Sequence, residues 1–580
     1  MRPTVWHRHR RMMSAITSYL GTGIASEPEL RQNQLFHRTN GCPGKGIAVR
    51  CTGGMVGCHG RTSARKRACF LGTAGRLGTA RLFAGLIVSM AGLVLSMAGC
   101  THEAPPDPSK QSRTSIAHKP QPRKPPAPAP STTDSVANAP VEHRPAEENH
   151  PAVAAPITPQ PVYRPDDQRP PHDDQRLAAL GIRKHESQRL RLYTDIPDAD
   201  ARPLPELIDR AFDALTAYFG PLPPARDGSE FQMTGYLLRS EALFREAGLI
   251  PEDLPLFQHG RHRRNEFWIR DQEYDYYRRH LLIHEVTHCV MTYLPDRRAP
   301  VWYFEGMAEL FGTHRLEADG TFAWGVMPDS PEHFAGLGRI TLVREDYGEG
   351  RGRSIPQILR MRPEEFLQPS PYAWSWALCH FLARHPRYRE RFQELGQHLT
   401  GDQFEGAWRQ LFGADARDLG TEWALFALNL QYGYDMERSA IEFRTGTPLA
   451  KDDPPREAAV RADRGWQSAG VLVEAGGAYH LEARGRFTLA DVPKPWESEP
   501  QGVSIRYFDG FPLGQLLACI RQETLPQGDD RETMLKVLPV GRARRFVAPV
   551  TGTLYLRVND SWSELADNRG EVQVLIWRGD

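Results

Sequence analysis

His284 and His288 stand four residues apart, with Glu285 between them, in the run His284-Glu285-Val286-Thr287-His288. On a helix that spacing puts both imidazoles on one face, with Cβ atoms about 5–6 Å apart. Two such rings can share one zinc ion at ~2.0–2.1 Å. Glu285 would then project beside the metal, where it can take a proton from a zinc-activated water. Two surface histidines on an ordinary helix would show the same letters, so the motif calls for a further ligand. Glu305 supplies one, in the stretch Val301-Trp302-Tyr303-Phe304-Glu305-Gly306-Met307-Ala308-Glu309-Leu310, and Glu309 follows one turn later on the same face. Pro295 and Pro300 separate this stretch from the histidine helix, as residues that end one helix and open another. A carboxylate from a second helix makes three protein ligands and leaves the fourth position for water, which is the plan of a catalytic zinc site.

The elements that must position these residues follow from periodicity. Residues 274–294 form a long helical pattern without Pro or Gly. Ahead of it, 189–194 alternates like a strand, 204–219 has helical apolar spacing, 232–238 is a second strand, 240–247 is helical and 266–270 is a third short strand. Strands first and helices after predict an α+β domain. Residues 267–270 are expected to be an edge strand able to pair with extended substrate backbone. Residues 413–435 close the domain as a last helical stretch. His280 and His380 lack ligand spacing to the motif and read as structural, and Cys289 reads as a core residue.

The paired stretches resemble the gluzincin zinc peptidases, which carry a His-Glu-x-x-His helix followed by a helix reading Trp-x-x-Glu-Gly-x-Ala-Glu. The resemblance spans roughly residues 186–435, with a slightly shorter spacing between the two helices than in the family's aminopeptidases. It implies a zinc site of His284, His288 and Glu305, with Glu309 as a carboxylate behind the ligands and Glu285 as the general base. Gluzincins place a tyrosine downstream of the glutamate ligand to bond the oxyanion. Tyr372 lies 67 residues after Glu305, and its Tyr-Ala-x-Ser-Trp-Ala context is similar to an uncharacterised bacterial branch of the group. A neutral phenol near developing negative charge is a sound electrostatic device.

After Asp452-Asp453-Pro454-Pro455 the pattern turns to short strands, at 470–474, 479–483, 504–507, 553–558 and 572–577. Such a series predicts an all-β sandwich over 456–580. Asn559-Asp560 and Asp567-Asn568 bring carboxylates and amides onto one loop, a donor set for a hard cation such as calcium, although a plain polar turn would look the same. This part resembles calcium-dependent galactose-binding bacterial lectins in Pro512-Leu513-Gly514-Gln515-Leu516-Leu517-Ala518, in 547–560 and in Asp567-Asn568-Arg569-Gly570. The resemblance implies calcium held by the side chains of Asp560, Asp567 and Asn568 and by carbonyls of Glu564 and Leu489. Those lectins carry a His-Pro pair in the sugar-contacting loop, where this chain reads Glu499-Pro500-Gln501.

The N-terminal part is of another kind. Residues 1–90 hold 14 Lys and Arg against two acidic residues, while the whole chain of 580 carries a net charge of only +1. The remainder is therefore net acidic, which excludes a nucleic-acid binder over the whole protein. Residues 1–54 lack periodicity and read as an unstructured extension. Residues 55–99 read as a signal-peptide region, with Arg76 and Arg81 before an apolar run over 82–99. Its end, Met97-Ala98-Gly99-Cys100, resembles a bacterial lipobox and implies lipid on Cys100, while a transmembrane helix is the competing reading of the run. Eighteen prolines lie between Pro105 and Pro171, so residues 100–178 read as a disordered tether ahead of a peptidase domain over 179–452. The whole predicts an exported zinc peptidase, lipid-anchored in the bacterial cell envelope, acting on a peptide or protein substrate and carrying a glycan-binding domain. The competing class is a non-catalytic surface carbohydrate-binding protein with a structural or vestigial zinc site. An intact Glu285 speaks against it, because a purely structural site has no use for a general base.

Overall fold

A computed structural model of the protein describes residues 162–580 apart from residue 168 and segments 295–298, 399–402 and 525–532. The expected extension, signal region and lipid-bearing Cys100 lie outside the described residues, as does most of the tether. The described part is α+β, and no helix in it is long and apolar enough to cross a membrane.

Five strands come first: β1 (Arg183–Glu186), β2 (Leu190–Thr194), β3 (Met233–Leu238), β4 (Gly260–Arg263) and β5 (Glu266–Arg270). They form one sheet in the order β1-β2-β3-β5-β4, with β2, β3 and β5 parallel and both edges antiparallel. Parallel neighbours need a crossover. Between β2 and β3 it is helix α1 (Leu204–Phe219), which buries Leu204, Leu207, Ile208, Ala211 and Leu215 on one face. The sequence expectation of an edge strand at 267–270 is corrected here: β5 lies between β3 and β4, and Phe267, Trp268 and Ile269 are wholly buried. The edge is β4, Gly-Arg-His-Arg, which is too polar to read as a strand. It is folded back on β5 by a turn with Arg264 in the left-handed conformation, at φ 58°.

Residues 162–178, read as the end of the tether, are also corrected. Arg164 is buried, bonds to the Ser229 carbonyl at 2.8 Å and stacks on Phe231. Asp173 caps a short helix, Asp174–Ala179, by accepting from the Arg176 amide. Specific partners far along the chain order a segment whose composition alone speaks for disorder.

Helices then build the rest of this module: α2 (Asp275–Tyr293), α3 (Val301–Gly312), α4 (Arg339–Gly348), α5 (Pro369–Arg384) and α6 (Ala416–Asn429). α2 is central and buried nearly all round, since it packs on α1, the sheet and α3. α3 is held between α2 and α5. Gly306 permits the second contact, because a Cβ there would come 2.8 Å from the Ser375 carbonyl oxygen and collide with Cys379 Sγ. The residue next to Glu305 thus sets how close α5, the bearer of Tyr372, can come.

The C-terminal module has two sheets around one apolar core. One contains Gln501–Phe508, Phe511–Arg521, Gly552–Val558 and Gln467–Val473; the other contains Ala543–Val547, Ala478–Arg484, Glu571–Arg578 and Arg456–Arg461. Strand Gly552–Val558 is buried at every residue. Leu554, Leu556 and Val558 face the sandwich core, while Tyr555 joins Leu517, Cys519 and Trp562 in the large core that contains the helices. Arg521 adds an ion pair to Asp418 of α6 at 2.6 Å. The two modules therefore share an apolar interface.

Candidate metal centre

α2 and α3 bring His284, His288 and Glu305 together. His288 Nε2 stands 3.0 Å from His284 Nε2 and 3.2 Å from Glu305 Oε2, and His284 Nε2 is 3.4 Å from that same oxygen. Ligands ~2.0–2.1 Å from a tetrahedral zinc lie roughly 3.3 Å apart, so the donor set and its spacing fit that ion. Both histidines are buried, and the Phe304 ring stacks on His288 with centroids 4.2 Å apart. Burial alone would lower the His284 pKa, but the Glu305 hydrogen bond and the charges of Glu309 and Glu285 carry it up to about 9. At His288 burial dominates and lowers the pKa. Burial would raise Glu305, yet the two imidazoles hold it well below the usual carboxylate range. The trio gathers two imidazole nitrogens and one carboxylate oxygen at a single point where a cation can sit.

Glu285 lies next to this group and is buried. Its Oε2 has no hydrogen-bond partner among the described residues, and His262 Nδ1 of β4 is 3.6 Å away. β4 passes directly over the carboxylate: a Cβ at Gly260 would collide with Glu285 Oε1. The His259 carbonyl accepts from Arg270. The antiparallel alternation therefore turns the backbone N–H and C=O of Gly260 and His262 away from β5, toward the open edge. Tyr372, half-buried at the start of α5, has its ring 6.4 Å from that of His284. Burial first, and then Glu305, Glu309 and Glu285, push its phenol pKa up, so it stays a neutral donor.

Glu309 is almost wholly buried behind His284. Its Oε1 is 3.5 Å from His284 Nδ1, and Arg339 grips both of its oxygens at 2.8 Å. His280 faces Glu309 at 3.2 Å, but out of line for a hydrogen bond; the expectation that it lacks ligand spacing is corrected here, because it stands one turn before His284 and groups with His284 and Glu309. His380 stacks on Trp376 and is held neutral by burial, which drops its pKa to about 3. Cys289 is buried in the core, as expected. Sequence reasoning missed His262, Phe304 and Arg339. Phe304 sits beside Glu305 and was within reach of that reasoning; the other two arrive through tertiary packing that no local spacing encodes.

A second oxygen-rich group lies in the loop after Val558. Asp560 and Asn568 are 1% and 2% exposed. Asp560 Oδ2, Asp567 Oδ1 and Asn568 Oδ1 are buried with no partner among the described residues. Buried oxygens normally find a donor or an ion, and these three suit a hard cation. Burial raises the Asp560 pKa to about 7, against bonds from Asn568 and the Ser561 amide. The Glu564 side chain turns outward to Arg506 at 2.6 Å. Thr488 and Arg569 exchange backbone bonds at 2.9 and 3.0 Å, which sets Leu489 next to this loop. The same loop touches the helical module: the Asp435 amide donates to the Trp562 carbonyl at 2.8 Å, and Tyr434 stacks on Trp562. Arg557 lies 3.8 Å over the Trp562 ring and donates to the Asp560 carbonyl at 2.6 Å.

No protein-family model matches the chain, and no curated protein matches it. Among solved structures it is similar to one described as "EclA N-terminal domain; PllA-like lectin", at 23% identity, covering 21% of this chain and 95% of that one with a TM-score of 0.17.

Proposed function

We propose that the protein is a zinc-dependent peptidase of the gluzincin kind with a cation-binding, lectin-like β module. The observation that carries this reading is the trio of buried His284 and His288 with half-buried Glu305, beside a carboxylate with an unpartnered oxygen, under an open strand edge. Zinc, when bound, would polarise the scissile carbonyl and acidify water. The protein's own groups account for the rest. Extended peptide pairs with the outward backbone of Gly260 and His262, in place of the strand the sequence suggested. Glu285 removes a proton from the attacking water and returns it to the leaving amine. The neutral Tyr372 phenol donates to the oxyanion as charge develops. His262 flanks Glu285 and His288, and bounds the space in which substrate meets the base.

In the β module, Asp560, Asp567 and Asn568 would hold calcium, with carbonyls such as those of Glu564 and Leu489 completing the shell. Glycan binding through that ion is the module's proposed role. Export and lipid attachment at Cys100 complete the reading on sequence grounds; Cys100→Ala should then release the protein from the membrane fraction. The non-catalytic alternative makes the opposite forecast for chemistry: zinc bound, and no peptide cleaved. Incubating the purified, zinc-loaded protein with a broad peptide library separates the two. New N-termini support the peptidase, and their absence supports the alternative.

A further inference from the structure

Among the described residues, the metal-capable side chains of the helical module form two overlapping trios. His284, His288 and Glu305 make the outer one, and His280, His284 and Glu309 make a second, wholly buried one; His284 is common to both. The outer trio is the one that reaches β4, since the His288 ring lies 4.6 Å from that of His262. Something must keep the inner trio from competing for the ion and from turning His284 the wrong way.

Arg339, the first residue of α4, is placed to do so. Its Nη2 donates to Glu309 Oε1 and its Nε donates to Oε2, both at 2.8 Å. Oε1 is also the atom that faces His284 Nδ1 at 3.5 Å, and Oε2 the atom that faces His280 Nε2 at 3.2 Å, both as charge contacts out of line for a hydrogen bond. One planar guanidinium thus neutralises the carboxylate and fixes both of its oxygens. Arg339 is 9% exposed and Glu309 1%. A buried charge of either sign persists only with its partner, so neither side chain is free to leave. A bidentate fork also sets orientation, which a point charge does not.

We propose that Arg339 is a positioning residue for the metal centre, the built-in cation of the inner trio. It holds Glu309 against His284 Nδ1, leaves the His284 Nε2 lone pair to the outer trio and reserves the ion for that trio. This rests on the zinc reading above and adds a residue that neither motif contains. Outer partners of this kind typically change metal affinity by about 10–100-fold when removed.

The test is zinc affinity, measured by chelator competition on the purified protein and its variants, with folding checked by circular dichroism. Arg339→Met should weaken zinc binding about 10–100-fold, and Arg339→Lys should recover part of that loss. Because Arg339 acts through Glu309, the double variant Glu309→Ala/Arg339→Met should bind no more weakly than Glu309→Ala alone. A purely structural role would produce neither the partial rescue nor the non-additivity. If folded Arg339→Met keeps affinity within about two-fold of wild type, or if the two losses simply add, the inference is overturned and the zinc reading stands. Should Arg339→Met not fold, Arg339→Lys decides: a roughly 3–10-fold loss supports the fork, and unchanged affinity overturns it. A wild-type protein that binds no zinc would overturn both.

Discussion

Glu305 and Glu309, the carboxylates on either side of His284, have partners inside the protein, whereas in the loop after Val558 three buried oxygens have none among the described residues. The helical centre balances its own charges. Glu305 is held by two imidazoles and Glu309 by Arg339, so both carboxylates have partners within the protein. The loop is unbalanced. Asp560, Asp567 and Asn568 each keep a buried oxygen without a partner among the described residues, and burial raises the Asp560 pKa to about 7. On the proposed reading, zinc at the helical centre serves chemistry and calcium in the loop serves stability. Removing zinc should therefore abolish activity with little change in melting, and removing calcium should lower melting with little direct effect on the chemical step.

The largest effect should come from Glu285→Gln, which keeps zinc but lacks the base. Peptide hydrolysis should fall by about 10²–10⁴-fold at full metal content. Loss of zinc in that variant would break the assignment of Glu285 as a non-ligand. Next comes Tyr372→Phe, expected to lower kcat by roughly 10²–10³ with KM little changed, as for one oxyanion donor. An effect confined to KM would make Tyr372 a substrate-packing residue.

At the loop the forecast concerns stability. Calcium at about 100 times its Kd should stabilise by about 2.7 kcal/mol, and Asp560→Asn should remove most of the resulting rise in Tm. The pH dependence sharpens the contrast. Asp560 has a folded pKa of about 7 against an ordinary 3.8. Its contribution to stability in the metal-free protein is fully present below about pH 4 and is lost as pH rises through about 7. Metal-free melting should thus fall over that window, and Asp560→Asn or added calcium should flatten the curve. A flat curve in the metal-free wild type would mean the carboxylate is solvated after all. The smallest expected effect is local. The Asp435 amide donates to Trp562, within the loop, so chelating calcium should speed its hydrogen exchange more than that of amides in α2. Equal acceleration of both would remove the distinction between the two sites.

What was legible in the sequence depended on whether one element held the whole signal. The i,i+4 pairs His284/His288 and Glu305/Glu309 each lie in a single helix, so spacing alone places them on a face. Leu204–Phe219 was legible for the same reason, since its one-sided burial mirrors its sequence period. Asp560, Asp567 and Asn568 share one loop, so a single stretch of sequence carries all three. His262 and Arg339 were not legible, because β4 reaches Glu285 only by pairing with β5, and α4 reaches Glu309 only by packing. The edge strand was misplaced because an apolar run such as 267–269 looks alike at the centre or rim of a sheet, while the true edge is polar. Residues 162–178 looked like tether because proline-rich composition conceals one buried arginine with partners some sixty residues away.

The central claim is that the outer trio and Glu285 form a hydrolytic centre. The most direct measurement is peptide cleavage per bound zinc, compared between wild type and Glu285→Gln in the same preparation and metal content. The account predicts one zinc in each, with cleavage in the wild type and a loss of at least about 100-fold in the variant. One zinc in each, with equal and negligible cleavage across a broad library, would contradict it.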